Sequence, residues 1–203
     1  MAKKKAKRKH YPWNKGREVG RQAPLTPSEV TRTKKALAKR GDAGLRDLAL
    51  FSTAIDTLLR ASDLLGLTVK DVRKRNRLMR DTFDLTTARY GQSVRCVLSK
   101  TTMRVLEKWI KQSAKKPSDY LFTGRHGGGL TPLSARQFSR LIKTWTEDIG
   151  FDASSYGIAS LRRTGAIHLL KKTRNMEAVR LMLEHANIRT TARYLSDSKP
   201  ANV

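Results

Sequence analysis

The sequence predicts a single, mainly α-helical domain with a small antiparallel β-sheet, and three observations carry that reading. Apolar residues recur at three- and four-residue intervals, as in Leu48, Phe51, Ile55, Leu58 and Leu59. Helix-start signatures precede several of the periodic stretches. One segment, about residues 79–98, changes to the threonine- and valine-rich texture of strands around a glycine turn.

Taken in order, residues 1–25 form a basic N-terminal arm, with nine Lys/Arg against Glu18 and with Pro12, Gly16, Gly20 and Pro24 interrupting it. Such a segment has little to bury and is expected to be disordered alone. Tyr11 and Trp13 lie among its cations, where they stack on bases or pack on the body. The domain proper is assigned to residues 26–203. Thr26, Pro27 and Glu29 make a capping box with proline in the first turn, opening a helix that runs to about Lys39 and stops at Gly41. The periodic helix from Leu45 leads into Arg60-Ala61-Ser62, where Ser62 is the expected cap of a short helix ended by Gly66. Residues 68–72 then carry the chain outward.

Thr82, Phe83, Leu85, Thr86 and Thr87, then Val94, Cys96, Val97 and Leu98, flank a turn at Tyr90-Gly91-Gln92 and read as a β-hairpin. Met103, Leu106 and Trp109 share one face of a helix over 101–111, and Tyr120-Leu121-Phe122 is a short buried run. Gly127-Gly128-Gly129 is a turn without the following Lys-Ser/Thr of a phosphate loop. Ser134 and Gln137 form a second capping box, opening a helix through Phe138, Leu141, Ile142 and Trp145 to Gly150. From Ala159 onward three helices follow, broken near Asn175 and Asn187.

With 43 Lys+Arg against 17 Asp+Glu, the formal charge is +26 and the isoelectric point about 10.9. A field of that sign favours a polyanion, and nucleic acid is the commonest one. No apolar run approaches the roughly 18 to 20 residues that cross a bilayer, and no apolar segment follows the basic start. A cytoplasmic, nucleoid-associated protein is therefore expected. One cysteine, Cys96, and histidines scattered at 10, 126, 168 and 185 offer neither a disulfide framework nor a metal cluster. No cofactor, metal or membrane partner is expected.

The chemistry lies in a few residues near the C-terminus and one farther upstream. Arg162 stands in Ser160-Leu161-Arg162-Arg163-Thr164, His185 in Leu183-Glu184-His185-Ala186-Asn187, and Tyr194 ends Thr190-Thr191-Ala192-Arg193-Tyr194. Arg60 precedes them in Leu58-Leu59-Arg60-Ala61-Ser62-Asp63. A phosphodiester passing through a five-coordinate state spreads negative charge over its non-bridging oxygens, and two guanidinium forks match that array. An imidazole moves protons near neutral pH, and a phenol attacks phosphorus. The other tyrosines, 11, 90, 120 and 156, lack these neighbours, and His168 and Trp145 read as core or helix-face residues.

These blocks resemble the tyrosine recombinases, the phage-integrase-type site-specific recombinases, over about residues 25–195. The resemblance implies the family's catalytic-domain fold. It also implies DNA strand breaking and rejoining, with Tyr194 as nucleophile forming a 3′-phosphotyrosyl link, Arg60 and Arg162 as phosphate clamp, and His185 in proton assistance. Which of Arg162 and Arg163 is catalytic rests on the family's register. Double-stranded DNA as partner, four copies assembled on two sites, and a mobile element's integration, excision or inversion are likewise implied.

Two departures stand out. The family usually carries a lysine on the hairpin turn, where Arg89 stands here, with Lys100 as a substitute in another register. The residue three before the second arginine is usually histidine and here is Ala159. They leave open a catalytically impaired DNA-binding relative of the same fold; a basic RNA- or ribosome-associated protein is the more remote alternative. Relatives in the family often bear a separate helical clamp domain, and the basic arm is expected to replace part of that clamp electrostatically. The nine residues after Tyr194 leave little for exchange with a neighbouring subunit.

Overall fold

The computed structural model describes residues 22–89, 91–124 and 130–196. Residues 1–21 of the basic arm, Tyr90 of the hairpin turn, the glycine turn at 127–129 and the last seven residues lie outside the described residues. The elements are α1 (Pro27–Lys39), α2 (Asp42–Thr57), α3 (Ala61–Leu65), α4 (Val69–Val72), β1 (Thr82–Thr86), β2 (Ser93–Val97), α5 (Lys100–Gln112), α6 (Ala135–Glu147), a 3-10 turn (Ala153–Ser155), α7 (Ile158–Thr173), α8 (Met176–Leu183) and α9 (Ile188–Ser196). Both capping boxes form as the sequence predicts: Thr26 with Glu29, and Ser134 with Gln137.

Four expectations shift. The helix expected to carry Leu58 and Leu59 stops at Thr57, and Leu58 turns left-handed at φ 56° because its carbonyl is taken by Arg162 from another helix. Ser62 does not cap α3; Arg60 holds the cap position with extended backbone, and its carbonyl accepts the Leu64 amide at 2.8 Å. The helix from Ser134 closes at Glu147, and Gly150 instead takes φ 78° in the following turn. Residues 22–25, read above as the end of the arm, are packed: Ala23 and Leu25 are buried, the Ala23 amide bonds Ser155 O at 3.0 Å, and the Leu25 amide bonds Thr164 Oγ1 at 2.8 Å.

The core is centred on Trp145, which meets Phe51 and Phe138 edge-on at 5.8 and 6.2 Å. Its indole N–H donates to Asp47 at 3.0 Å, so the one polar atom of the largest core side chain is satisfied. The strands pair antiparallel from Thr82 opposite Val97 to Thr86 opposite Ser93. Phe83, Val94 and Cys96 face inward, as period-2 alternation requires. Burial pushes the Cys96 thiol up to about 12, so it behaves as an inert core group. A smaller cluster of Leu58, Ala166, Val179 and Leu183 seats α8 and α9, with Tyr194 and Leu195 packed against it.

Candidate active site

Arg162 is placed by the close approach of α7 to the end of α2. Gly165, one turn after Arg162, makes that approach: a methyl group there would lie 2.1 Å from the Ile55 carbonyl oxygen. With the helices this close, Arg162 Nε donates to Leu58 O at 2.6 Å and Nη2 to Leu183 O at 2.9 Å. Each acceptor ends a helix where carbonyls lack intrahelical donors, so one guanidinium locks α2, α7 and α8 together.

Arg60 enters the same cleft from the start of α3. Its Nη1 pairs with Glu184 Oε2, a carboxylate whose side chain is only 3% exposed. Glu184 Oε1 also accepts from Thr87 Oγ1 at 2.5 Å, which ties the hairpin to α8. Asp63, on α3, accepts the Ala88 amide at 3.0 Å and so fixes the turn. Arg60, Arg162, Ala159, Ser139 and Gln22 line one cleft of about 400 Å³.

His185 follows Glu184 in the loop between α8 and α9, and Arg180 grips that loop from both sides. The His185 amide bonds Arg180 O at 3.1 Å, and Arg180 Nη1 donates to His185 O at 2.6 Å. The imidazole Nδ1 meets Thr191 Oγ1 at 3.0 Å, which orients the ring. Burial first, then the charges of Arg162, Arg60 and Arg180, hold its pKa below the usual imidazole value. The ring is therefore neutral at pH 7.

Tyr194, on α9, meets His185 edge-to-face with ring centroids 5.4 Å apart. Burial raises its phenol pKa, while Arg162 and Arg163 pull it down, Arg163 also through a side-chain hydrogen bond. Arg163 lies over the Tyr194 ring, 4.8 Å from Cζ to centroid. Tyr156 is sealed in the core with its phenol pushed up to about 12, and Tyr120 pairs through its backbone with Thr68. Tyr11 and Tyr90 are outside the described residues.

The structure thus gathers Arg60, Arg162, His185 and Tyr194. Arg89 is exposed on the hairpin turn, directly after the tethered Ala88. Lys100 opens α5 beyond the far end of β2, about 3.4 Å per strand residue away from that turn. Ala159 faces the cleft without a polar group. Reading the sequence missed Glu184 as the partner of Arg60, and Arg163 as the cation over the nucleophile candidate. Their adjacency to His185 and Arg162 was the one signal available. A larger cleft of about 1000 Å³, lined by Lys70, Arg73, Arg77, Arg80 and Lys111, is strongly basic but holds none of the candidate site residues.

A model of the phage integrase family matches residues 24–200. Tyrosine recombinase XerC of Corynebacterium efficiens is 30% identical over 183 residues, which cover 87% of this chain and 56% of that protein. Tyrosine recombinase XerD of Listeria monocytogenes is 29% identical over 163 residues, covering 77% and 52%. The chain spans about half the length of these curated relatives. The crystal structure of XerA recombinase superposes with a TM-score of 0.71 at 20% identity, covering 85% of this chain and 60% of that one. XerH recombinase bound to its difH substrate, in a pre-cleavage complex, superposes with a TM-score of 0.69 at 19% identity, covering 85% and 50%. The mainly helical architecture with one two-stranded sheet among the described residues is therefore the fold of recombinase catalytic domains. A phage-integrase model spanning nearly all the described residues, over a chain in which two arginines line one cleft and a histidine packs edge-to-face on a tyrosine, places the chain in the phage integrase family.

Proposed function

We propose that the protein breaks and rejoins double-stranded DNA at specific sites, with Tyr194 as nucleophile. The observation that carries this reading is the convergence of Arg60 and Arg162 on one cleft, with His185 in the field of both arginines and edge-to-face on the Tyr194 ring.

Arg60 and Arg162 hold the non-bridging oxygens of a phosphodiester. Their fixed charges stabilise the five-coordinate state, an effect of about 10³ to 10⁵ in rate for comparable cations. Tyr194 Oη attacks phosphorus as the bond to the 5′ oxygen breaks. The raised phenol pKa means that Tyr194 is protonated at rest, so attack requires a base. Neutral His185 takes that proton. The departing 5′ oxygen is protonated in turn, and Arg89, on the turn tethered to α3, is the group assigned to assist it. The products are a 3′-phosphotyrosyl link and a free 5′ hydroxyl. The link keeps the bond energy, so a second 5′ hydroxyl reverses the step on a new partner without ATP. Two such exchanges join two duplexes, and the assembly proposed is four copies on two DNA sites. The +26 charge supports backbone binding by the surrounding surface.

The test is capture. Wild-type protein is incubated with a pool of randomised, nicked duplexes, and protease-sensitive covalent adducts are isolated and sequenced. Tyr194→Phe removes one hydroxyl and should abolish the adduct while leaving DNA binding within about twofold. Adduct formation by the phenylalanine variant would refute the assignment.

A further inference from the structure

Two guanidinium groups meet in the candidate cleft, yet the wall between them and the start of α7 is Ala159, which offers no hydrogen bond. Across that wall lies Gln22. Its backbone carbonyl accepts from Arg163 Nη1, which anchors the residue beside α7. Its side-chain amide lies directly on Gly157, the cap residue of α7. A methyl group at Gly157 would come 2.1 Å from Gln22 Nε2 and 2.4 Å from Oε1. The backbone at Gly157 is extended, so what the glycine provides is the space that the amide fills. Gln22 is half-buried and lines the same 400 Å³ cleft as Arg60 and Arg162. Among the described residues its amide has no hydrogen-bond partner, although its main-chain carbonyl is engaged.

We propose that the Gln22 side-chain amide is a phosphate ligand of this cleft, donating from Nε2 to a non-bridging oxygen on the wall that Ala159 leaves apolar. The proposal rests on the strand-cleavage reading above. A neutral N–H donor adds directional stabilisation to charge already supplied by the arginines, and it needs no proton transfer. Gly157 is the device that lets a residue from before the first helix reach the phosphate.

The experiment uses the full chain and the nicked duplex captured by the wild type. Gln22→Ala should slow adduct formation about tenfold, the worth of one hydrogen bond to a charged group, with DNA affinity within about twofold. Thermal stability should hold, because the bond from Arg163 goes to the main-chain carbonyl. Gly157→Ala should displace the amide and slow the reaction similarly. The double variant should be no slower than either single one. Ala159→His places a donor on the same wall and should restore the rate in the Gln22→Ala background.

A wild-type rate in Gln22→Ala, additive losses in the double variant, or a loss that Ala159→His does not relieve would overturn the proposal. Absence of any adduct from the wild type would overturn the strand-cleavage reading itself, and this inference with it.

Discussion

Arg60, which lines the candidate cleft, meets Glu184 as an ion pair, Nη1 to Oε2, with the arginine side chain 18% exposed and the glutamate 3%. Placing a carboxylate beside an arginine proposed to hold phosphate costs attraction for that phosphate and gains position. Glu184 also holds Thr87, so a single carboxylate fixes the start of α3, the base of the hairpin turn and the end of α8. Removing one partner of a buried pair costs roughly 3 to 5 kcal/mol; partial exposure of Arg60 brings the expectation for Glu184→Ala to about 2 to 3 kcal/mol. Urea unfolding would measure it. Glu184→Gln keeps the shape and should lose less stability, yet both variants should cleave more slowly because Arg60 is no longer aimed.

Arg163 is the neighbour whose role the chemistry of Arg162 obscures. It covers the Tyr194 ring and bonds the Gln22 carbonyl, so it ties the N-terminal strap to α9. Lysine lacks the planar fork that does both. Arg163→Lys should therefore slow adduct formation by about 10- to 100-fold, while affinity for DNA, which depends on total charge, changes little. A rate equal to wild type would reduce Arg163 to a core cation.

Gly165 sets the distance between α7 and α2. Gly165→Ala drives a methyl group into the Ile55 carbonyl and to within 3.1 Å of Leu58 Cδ1. Overpacking of this kind costs about 1 to 3 kcal/mol. Because the shift carries Arg162 away from Leu58 O, cleavage should fall by more than the lost stability explains. Comparing melting temperature with adduct rate in one variant checks both.

Much of this was legible in the residues. The capping boxes at Thr26 and Ser134 form where their side chains require, because capping is settled within four residues. The hairpin likewise follows from alternation and a glycine turn. What was not legible depends on contacts between distant segments. The helix containing Ile55 looks as though it continues through Leu58 and Leu59, and only Arg162, more than a hundred residues later, stops it at Thr57 by taking the Leu58 carbonyl. The packing of residues 22–25 was hidden for the same reason: their partners are Ser155, Thr164 and Arg163. In the site, residue types announced Arg60, Arg162, His185 and Tyr194, but the supporting pairs, Glu184 with Arg60 and Thr191 with His185, are fixed by tertiary geometry alone.

Acid should destabilise the protein through its imidazoles. His168 is shifted down, chiefly by burial and then by Lys171 and Lys34, and His185 is shifted down by burial and three arginines. Both native rings resist the proton, so the unfolded chain binds it first, near the ordinary value of about 6.5. Stability is full above that pH and is lost as the pH falls below it. The urea midpoint should drop between pH 7.5 and 5.5, and His168→Phe, which removes a half-buried titrating ring, should flatten the slope. An equally steep slope in the variant would place the acid sensitivity elsewhere.

Arg89 poses a question that leaving-group chemistry resolves. A guanidinium holds a phosphate well but gives up a proton reluctantly. If Arg89 assists the departing 5′ oxygen, Arg89→Ala should cleave slowly on ordinary DNA. The defect should largely vanish on a duplex whose 5′ bridging oxygen is replaced by sulfur. A thiolate, with a pKa near 8.5, leaves without being protonated. Arg89→Lys should match or exceed the wild type on the oxygen substrate, since an ammonium is the better proton donor. A defect in Arg89→Ala that persists undiminished on the sulfur substrate would assign Arg89 to phosphate binding. The adduct rates of three proteins on two duplexes give the answer, and they do so independently of where Lys100 stands, because Lys100 opens α5 at the other end of the strand.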